Sequence, residues 1–224
     1  MISHKYQCIF IHIPKCGGTS IEHALGHYPH GDSTGGQDHR GIRRIEQPFP
    51  NSNILASFSN INEAFKRVTL SYKRHRNPNN RLTLTESQYK HYYKFTVVRN
   101  PWARILSVYN VVLGWQPLKK RWGIKGDISL EDFINKFTGF NMLRTQLSYL
   151  VDFNGEVNLN HIAKLEDIEN GFKIICEDLN ISHINLPHRN KGPNVNYKEI
   201  YNNKSMDLVY KCYEEEIELF NYSF

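Results

Sequence analysis

Two apolar runs organise the chain. YQCIFIHI, residues 6–13, is rich in Ile and Phe and stops at Pro14; KFTVV, residues 94–98, repeats the pattern. Short continuous apolar runs bounded by turn residues predict buried strands. Residues 162–165 predict another short strand, and residues 54–58 one more. After each main strand the period lengthens. Residues 19–25 begin a helix. Asn100 is a good N-cap and Pro101 suits the first helical position, after which Ile105, Val108 and Val112 recur at helical spacing. Further helices are predicted at 129–137, 142–149, 167–179 and 205–220, with one short turn at 40–45. Ser129 followed by Asp132 resembles a capping box, and Ile168, Phe172, Ile175 and Leu179 form one apolar stripe. Residues 26–52 are loop-like. SYKRHRNPNNRLTLTESQ, residues 71–88, reads as a polar, basic surface excursion. Strands alternating with helices predict an α/β layered fold with a mainly parallel sheet. In such sheets ligands bind beyond the carboxyl ends of the strands, where the turns at 14–20 and 99–101 lie.

The bulk numbers narrow the partners. A chain of 224 residues, 40% of them apolar, suits one domain, residues 1–224, with an insertion or excursion at about 50–90. The net charge of +6 points to anionic ligands. Cys8, Cys16, Cys176 and Cys212 match no zinc or CxxC spacing and read as free thiols of a reducing compartment. The apolar run at 8–13 is too short for a signal core and is interrupted by His12. No stretch approaches the ~20 apolar residues of a membrane span. A soluble, cytoplasmic protein is therefore expected, monomeric or homodimeric; a fragment of a membrane-anchored protein also fits.

IPKCGGTS, residues 13–20, carries the clearest chemistry. Gly17 and Gly18 let the backbone approach a bound group, Lys15 adds a charge, and Thr19 and Ser20 add hydroxyl donors. The pattern is a phosphate cradle, but not GxxxxGK[ST], in which the lysine follows the glycines. Cys16 raises a cysteine-phosphatase alternative. Such an enzyme needs an arginine six residues later, and that position is Glu22. Arg99 and Ser107 form a second pair, a guanidinium at a strand end and a hydroxyl two turns into the next helix, which can converge on one phosphate.

FIHIPKCGGTS followed by FTVVRNPWARILSVYN resembles the sulfotransferases that use 3′-phosphoadenosine-5′-phosphosulfate (PAPS). The similarity is to the carbohydrate-type group that includes heparan sulfate 2-O-sulfotransferase-like and bacterial members. RTQLSYL, AKLEDIENGF, LPHRNKGPN and YKCYEEEIELFNYSF extend it over most of the chain except roughly residues 50–90. The resemblance implies a P-loop-kinase-like three-layer fold with a central, mainly parallel sheet flanked by helices. It implies sulfuryl transfer from PAPS to an acceptor hydroxyl, leaving adenosine 3′,5′-bisphosphate (PAP), without a metal. Lys15, Gly17, Gly18, Thr19 and Ser20 would hold the 5′-phosphosulfate, and Arg99 and Ser107 the 3′-phosphate. Cys16 stands where many relatives have Thr and would contribute its backbone amide. Lys191 and Gly192 loosely match an element used on the 3′-phosphate.

The acceptor must lose a proton, so a positioned His or Glu is expected. His39, in DHRGIRRI, is the base candidate, with Asp38 placed to orient it; Glu22 is the alternative. His12 reads as a packed strand residue. A saccharide acceptor would suit the basic residues Lys73, Arg74, His75, Arg76 and Arg81, with Tyr92, Trp102, Trp115 and Trp122 available for stacking. Two other readings stay open: a P-loop nucleotide kinase, and a non-catalytic protein binding adenosine bisphosphate or nucleic acid. The sulfotransferase reading expects no nucleic-acid partner.

Overall fold

The computed structural model describes residues 1–29, 36–46, 52–182, 184–186 and 196–224. In chain order the elements are β1 (Ile2–Ser3), β2 (Cys8–Ile11), α1 (Gly18–Ala24), α2 (Ile42–Ile45), α3 (Phe58–Ser71), α4 (Glu86–His91), β3 (Tyr93–Val98), α5 (Pro101–Gly114), α6 (Gln116–Arg121), α7 (Leu130–Phe137), α8 (Leu147–Leu150), β4 (His161–Lys164), α9 (Ile168–Asp178) and α10 (Asn203–Leu219). They form two compact units, one of Met1–Val98 with Gln146–Arg189, the other of Arg99–Thr145 with Asn190–Phe224. The class is α/β. Among the described residues no helix is long and apolar enough to cross a membrane.

The first unit holds the sheet, in the order β1-β2-β3-β4. β2, β3 and β4 are parallel, with Phe10 beside Phe95 and Phe95 beside His161; β1 runs antiparallel to β2. Phe10, Phe95, Val97 and Ala163 share a core with Ile21 and Leu25 from α1 and its end, and Phe172 and Ile175 of α9. The alternate strand residues Ile9, Ile11, Thr96 and Val98 are also buried. Both faces of the sheet are therefore covered, which is why these strands read as continuous apolar runs rather than alternating ones.

The strand expected at 54–58 does not form. Residues Ser52–Ala56 make a 3-10 turn, and Ser57 then caps α3 by accepting from the Asn60 amide. Helix α3 buries its polar side. Asn60 Oδ1 accepts from Arg43 Nη1 at 2.8 Å, and Glu63 takes Arg44 in a two-pronged pair at 2.6 and 3.1 Å. Phe58, Ile61, Phe65 and Val68 stay exposed. Part of the basic stretch after it is also anchored. Asn77 and Asn80 are buried, and their side-chain amides donate to the carbonyls of His27 and Gly36. Lys73, Arg74 and Arg76 are exposed as expected.

In the second unit α5, α6, α7 and α10 enclose Trp102, Val108, Leu118, Phe133, Phe137, Val209 and Ile217. Trp122 stacks on Phe133 with ring centroids 5.5 Å apart. Asn100 caps α5, its Oδ1 accepting from the amides of Trp102 and Ala103. The single helix expected at 142–149 is instead a 3-10 turn at Asn141–Leu143 and the separate α8. Arg104, fully buried, donates to the carbonyls of Met142 and Arg144 at 2.7 and 3.0 Å.

Candidate functional site

The loop after β2 leaves the carboxyl edge of the sheet, as the strand-turn-helix pattern predicts. Lys15 has φ 69 and Gly17 φ 76. A left-handed conformation is natural for glycine but uncommon for a lysine, and such positions cluster where a loop is held in one shape. Gly17 and Gly18 are fixed by their neighbours. A Cβ on Gly17 would lie 2.5 Å from Leu165 Cδ1, and one on Gly18 would lie 2.2 Å from His12 Cδ2. Gly17 is therefore favoured by backbone shape, and Gly18 is required by close approach to the His12 ring. Lys15, Thr19 and Ser20 are half-buried and Gly17 is exposed.

Cys16 is buried, with its Sγ 3.3 Å from Gln146 Oε1. Its amide donates to Ile13 O at 3.3 Å. The expected amide contact to a bound anion is thus turned inward, into the loop's own turn. The buried thiol also leaves Cys16 poorly placed as a nucleophile.

Beneath the loop is a buried polar cluster. His12, packed as expected, lies on Phe10, and its Nδ1 is 3.0 Å from Glu22 Oε1. Glu22 is wholly buried on α1. Oε1 also accepts from the Asp38 amide at 3.0 Å, and Oε2 accepts from the Tyr28 hydroxyl. Burial by itself raises the Glu22 pKa, but the charge and hydrogen bond of His12, with the Tyr28 bond, outweigh it and bring the carboxyl down to about 2. Glu22 is an ionised anchor sealed from solvent.

His39 reaches the same cluster. Its ring lies 4.3 Å from that of His12, and its Nδ1 is 3.1 Å from the His12 carbonyl oxygen. A carbonyl only accepts, so Nδ1 carries the proton and Nε2 keeps its lone pair. Protein atoms crowd the imidazole while His39 itself remains exposed. That desolvation, with the charge of His12 beside it, pushes its pKa down to about 4. The imidazole is therefore neutral at pH 7 with solvent at hand. Asp38 does not orient it. The Asp38 carboxylate instead takes Arg40 in a two-pronged pair, 2.8 Å from Nε and 2.7 Å from Nη2.

Lys15, Gly17, Gly18, Thr19, Ser20, Glu22 and His39 all belong to the first unit; Arg99 and Ser107 belong to the second. In their own unit Arg99, half-buried, immediately precedes the cap Asn100, and Ser107 is half-buried two turns into α5. Lys191 and Gly192 lie outside the described residues. Of the four aromatics available for stacking, Tyr92, Trp102 and Trp122 are core residues, and Trp115 is exposed. Sequence reasoning did not find Tyr28, which bonds Glu22 six residues away, or Gln146 and Leu165, which come to the loop from distant parts of the chain and carry no local signal.

No curated protein and no solved structure matches the chain. The model of the Sulfotransferase family matches residues 1–223, essentially the whole of it. That span includes the loop with its fixed glycines, the strand β3 and the helix α5 that follows Arg99. The chain belongs to the sulfotransferase family.

Proposed function

We propose that the protein transfers a sulfuryl group from PAPS to an acceptor hydroxyl, on a saccharide. Family membership supports sulfuryl transfer, and the observation that carries the finer reading is the lysine-first loop. Lys15 is held left-handed on a turn whose Gly17 is also left-handed and whose Gly18 leaves no room for a side chain beside His12. Lys15, Gly17, Gly18, Thr19 and Ser20 are proposed to bind the 5′-phosphosulfate; Arg99 and Ser107 are proposed to bind the 3′-phosphate. Cys16 serves as packing against Gln146 rather than as a ligand.

His39 is the proposed base. Its Nε2 takes the acceptor proton as the new O–S bond forms and the bond from sulfur to the 5′-phosphate oxygen breaks. The electron pair of the broken bond stays on the leaving phosphate, where the Lys15 ammonium offsets the growing charge. Glu22, out of reach of solvent, keeps His12 and the loop in place. The excess of basic residues, with Lys73, Arg74 and Arg76 exposed, supports an acidic saccharide as acceptor.

Calorimetric titration with PAP, AMP, ADP and ATP tests the donor site. PAP is expected to bind most tightly. Arg99→Ala should weaken PAP by about thirtyfold, near 2 kcal/mol, and leave AMP almost unchanged. Binding of ATP with no binding of PAP would overturn the reading. Equal losses for PAP and AMP would remove the role given to Arg99.

A further inference from the structure

The first unit contains a second concentration of positive charge, away from the lysine loop in sequence and built mostly from residues 67–83. A cavity of ≈ 250 Å³ is lined by Arg40, Arg44, Arg67, Arg81 and His75, among others, and among the described residues no Asp or Glu lines it. Two of the guanidiniums are anchored from behind. Arg40 is held by Asp38 and donates Nη1 to the Leu82 carbonyl at 2.9 Å; Arg44 is held by Glu63. The other two differ. Arg67 has its Nη1 sealed from solvent with no hydrogen-bond acceptor among the described residues. Its nearest charges include Arg40, which repels it, and Glu46, which attracts it. Arg81 is exposed at the end of the short turn Pro78–Arg81.

Asp38 and Glu63 pair with Arg40 and Arg44, so the charge left to the cavity is that of Arg67, which Glu46 attracts, and of Arg81. Arg67 is in part desolvated and its Nη1 lacks an acceptor, which costs the folded chain free energy. An oxyanion in the cavity would pair with the accessible parts of these two guanidiniums, because planar guanidinium forks match the oxygen pairs of sulfate and carboxylate. We propose that this cavity is a second anion site, taking one sulfate or carboxylate group through Arg67 and Arg81, with Arg40 and Arg44 as the fixed wall. Arg40 directly follows His39 in the chain, so the site adjoins the segment that carries the proposed base. An acidic substituent of the acceptor saccharide and a free inorganic anion present the same chemistry to it.

Isothermal titration with sodium sulfate separates this site from the loop. In a Lys15→Ala background, which weakens any sulfate binding at the loop itself, sulfate is still expected to bind, whereas adding Arg67→Met should weaken that binding at least tenfold and adding Arg81→Ala several-fold. Far-UV circular dichroism checks that each variant folds; if Arg67→Met does not, the exposed Arg81→Ala decides the matter. Sulfate binding lost in Lys15→Ala, unchanged by Arg67→Met and Arg81→Ala, or absent altogether would overturn the proposal. A sulfated disaccharide is titrated alongside its unsulfated form. Tighter binding than inorganic sulfate, again lost in Arg81→Ala, identifies the acceptor substituent as the source; equal binding identifies a free anion. The PAP titration is independent, so the failure of one reading leaves the other standing.

Discussion

At the scale of single residues, His39 shows how a neighbour sets a role. The His12 carbonyl fixes which ring nitrogen holds the proton, and crowding with the His12 charge moves the pKa down to about 4. A lowered histidine pKa means the neutral, basic form persists well below pH 6. The value of kcat/KM is therefore expected to stay flat from pH 8 to about 5, and to fall tenfold per unit only near pH 4 and below. A pH-rate profile measured where circular dichroism shows the chain folded tests this; an acid limb near the ordinary histidine value, about 6.5, would contradict it. His39→Ala should lower kcat by about 10²–10⁴-fold. The candidate base was legible from DHRGIRRI, but its tautomer was not, because the partner is a backbone oxygen 27 residues away.

At the scale of elements, the turn from β2 to α1 depends on close approach. Gly18→Ala would drive a methyl group into the His12 imidazole, which is itself pinned to Glu22. The substitution should cost about 1–3 kcal/mol of stability, as overpacking of a rigid site does. Gly114→Ala, at the end of α5 with nothing within 4 Å of its Cβ, serves as the control and should be neutral or slightly stabilising. Urea denaturation of both variants measures the difference, and equal midpoints would contradict the packing argument. Capping made α5 and α7 readable from sequence: Asn100 and Ser129 both accept the amide bonds expected of them. Helix α3 was missed because its apolar row faces solvent while Asn60 and Glu63 are buried, the reverse of the usual rule.

At the scale of the whole molecule, two carboxyls, one buried and one half-buried, give stability opposite dependences on pH. Glu22, lowered to about 2, contributes stability that is present above about pH 4.5 and lost as pH falls toward 2. Glu46 is raised to about 7, first by burial and then by the charge of Asp152, against the Phe153 amide and Arg67. Its stabilising effect belongs to the neutral form, so it is present below about pH 4.5 and lost as pH rises through 7. Glu46→Gln should therefore raise stability at pH 8 by about 1 kcal/mol, allowing for partial exposure, and have little effect at pH 4.5. Urea midpoints at the two pH values check this, and an equal change at both would contradict it. The sequence by itself determined the parallel strands, the strand-to-helix turns and the phosphate-cradle composition, because period, capping and turn chemistry belong to consecutive residues. Tertiary structure alone decided that Glu22 is an anchor, that Cys16 turns its amide inward, and that four arginines line one cavity. Those properties depend on burial and charge contributed by residues far apart in the chain, and no local pattern encodes them.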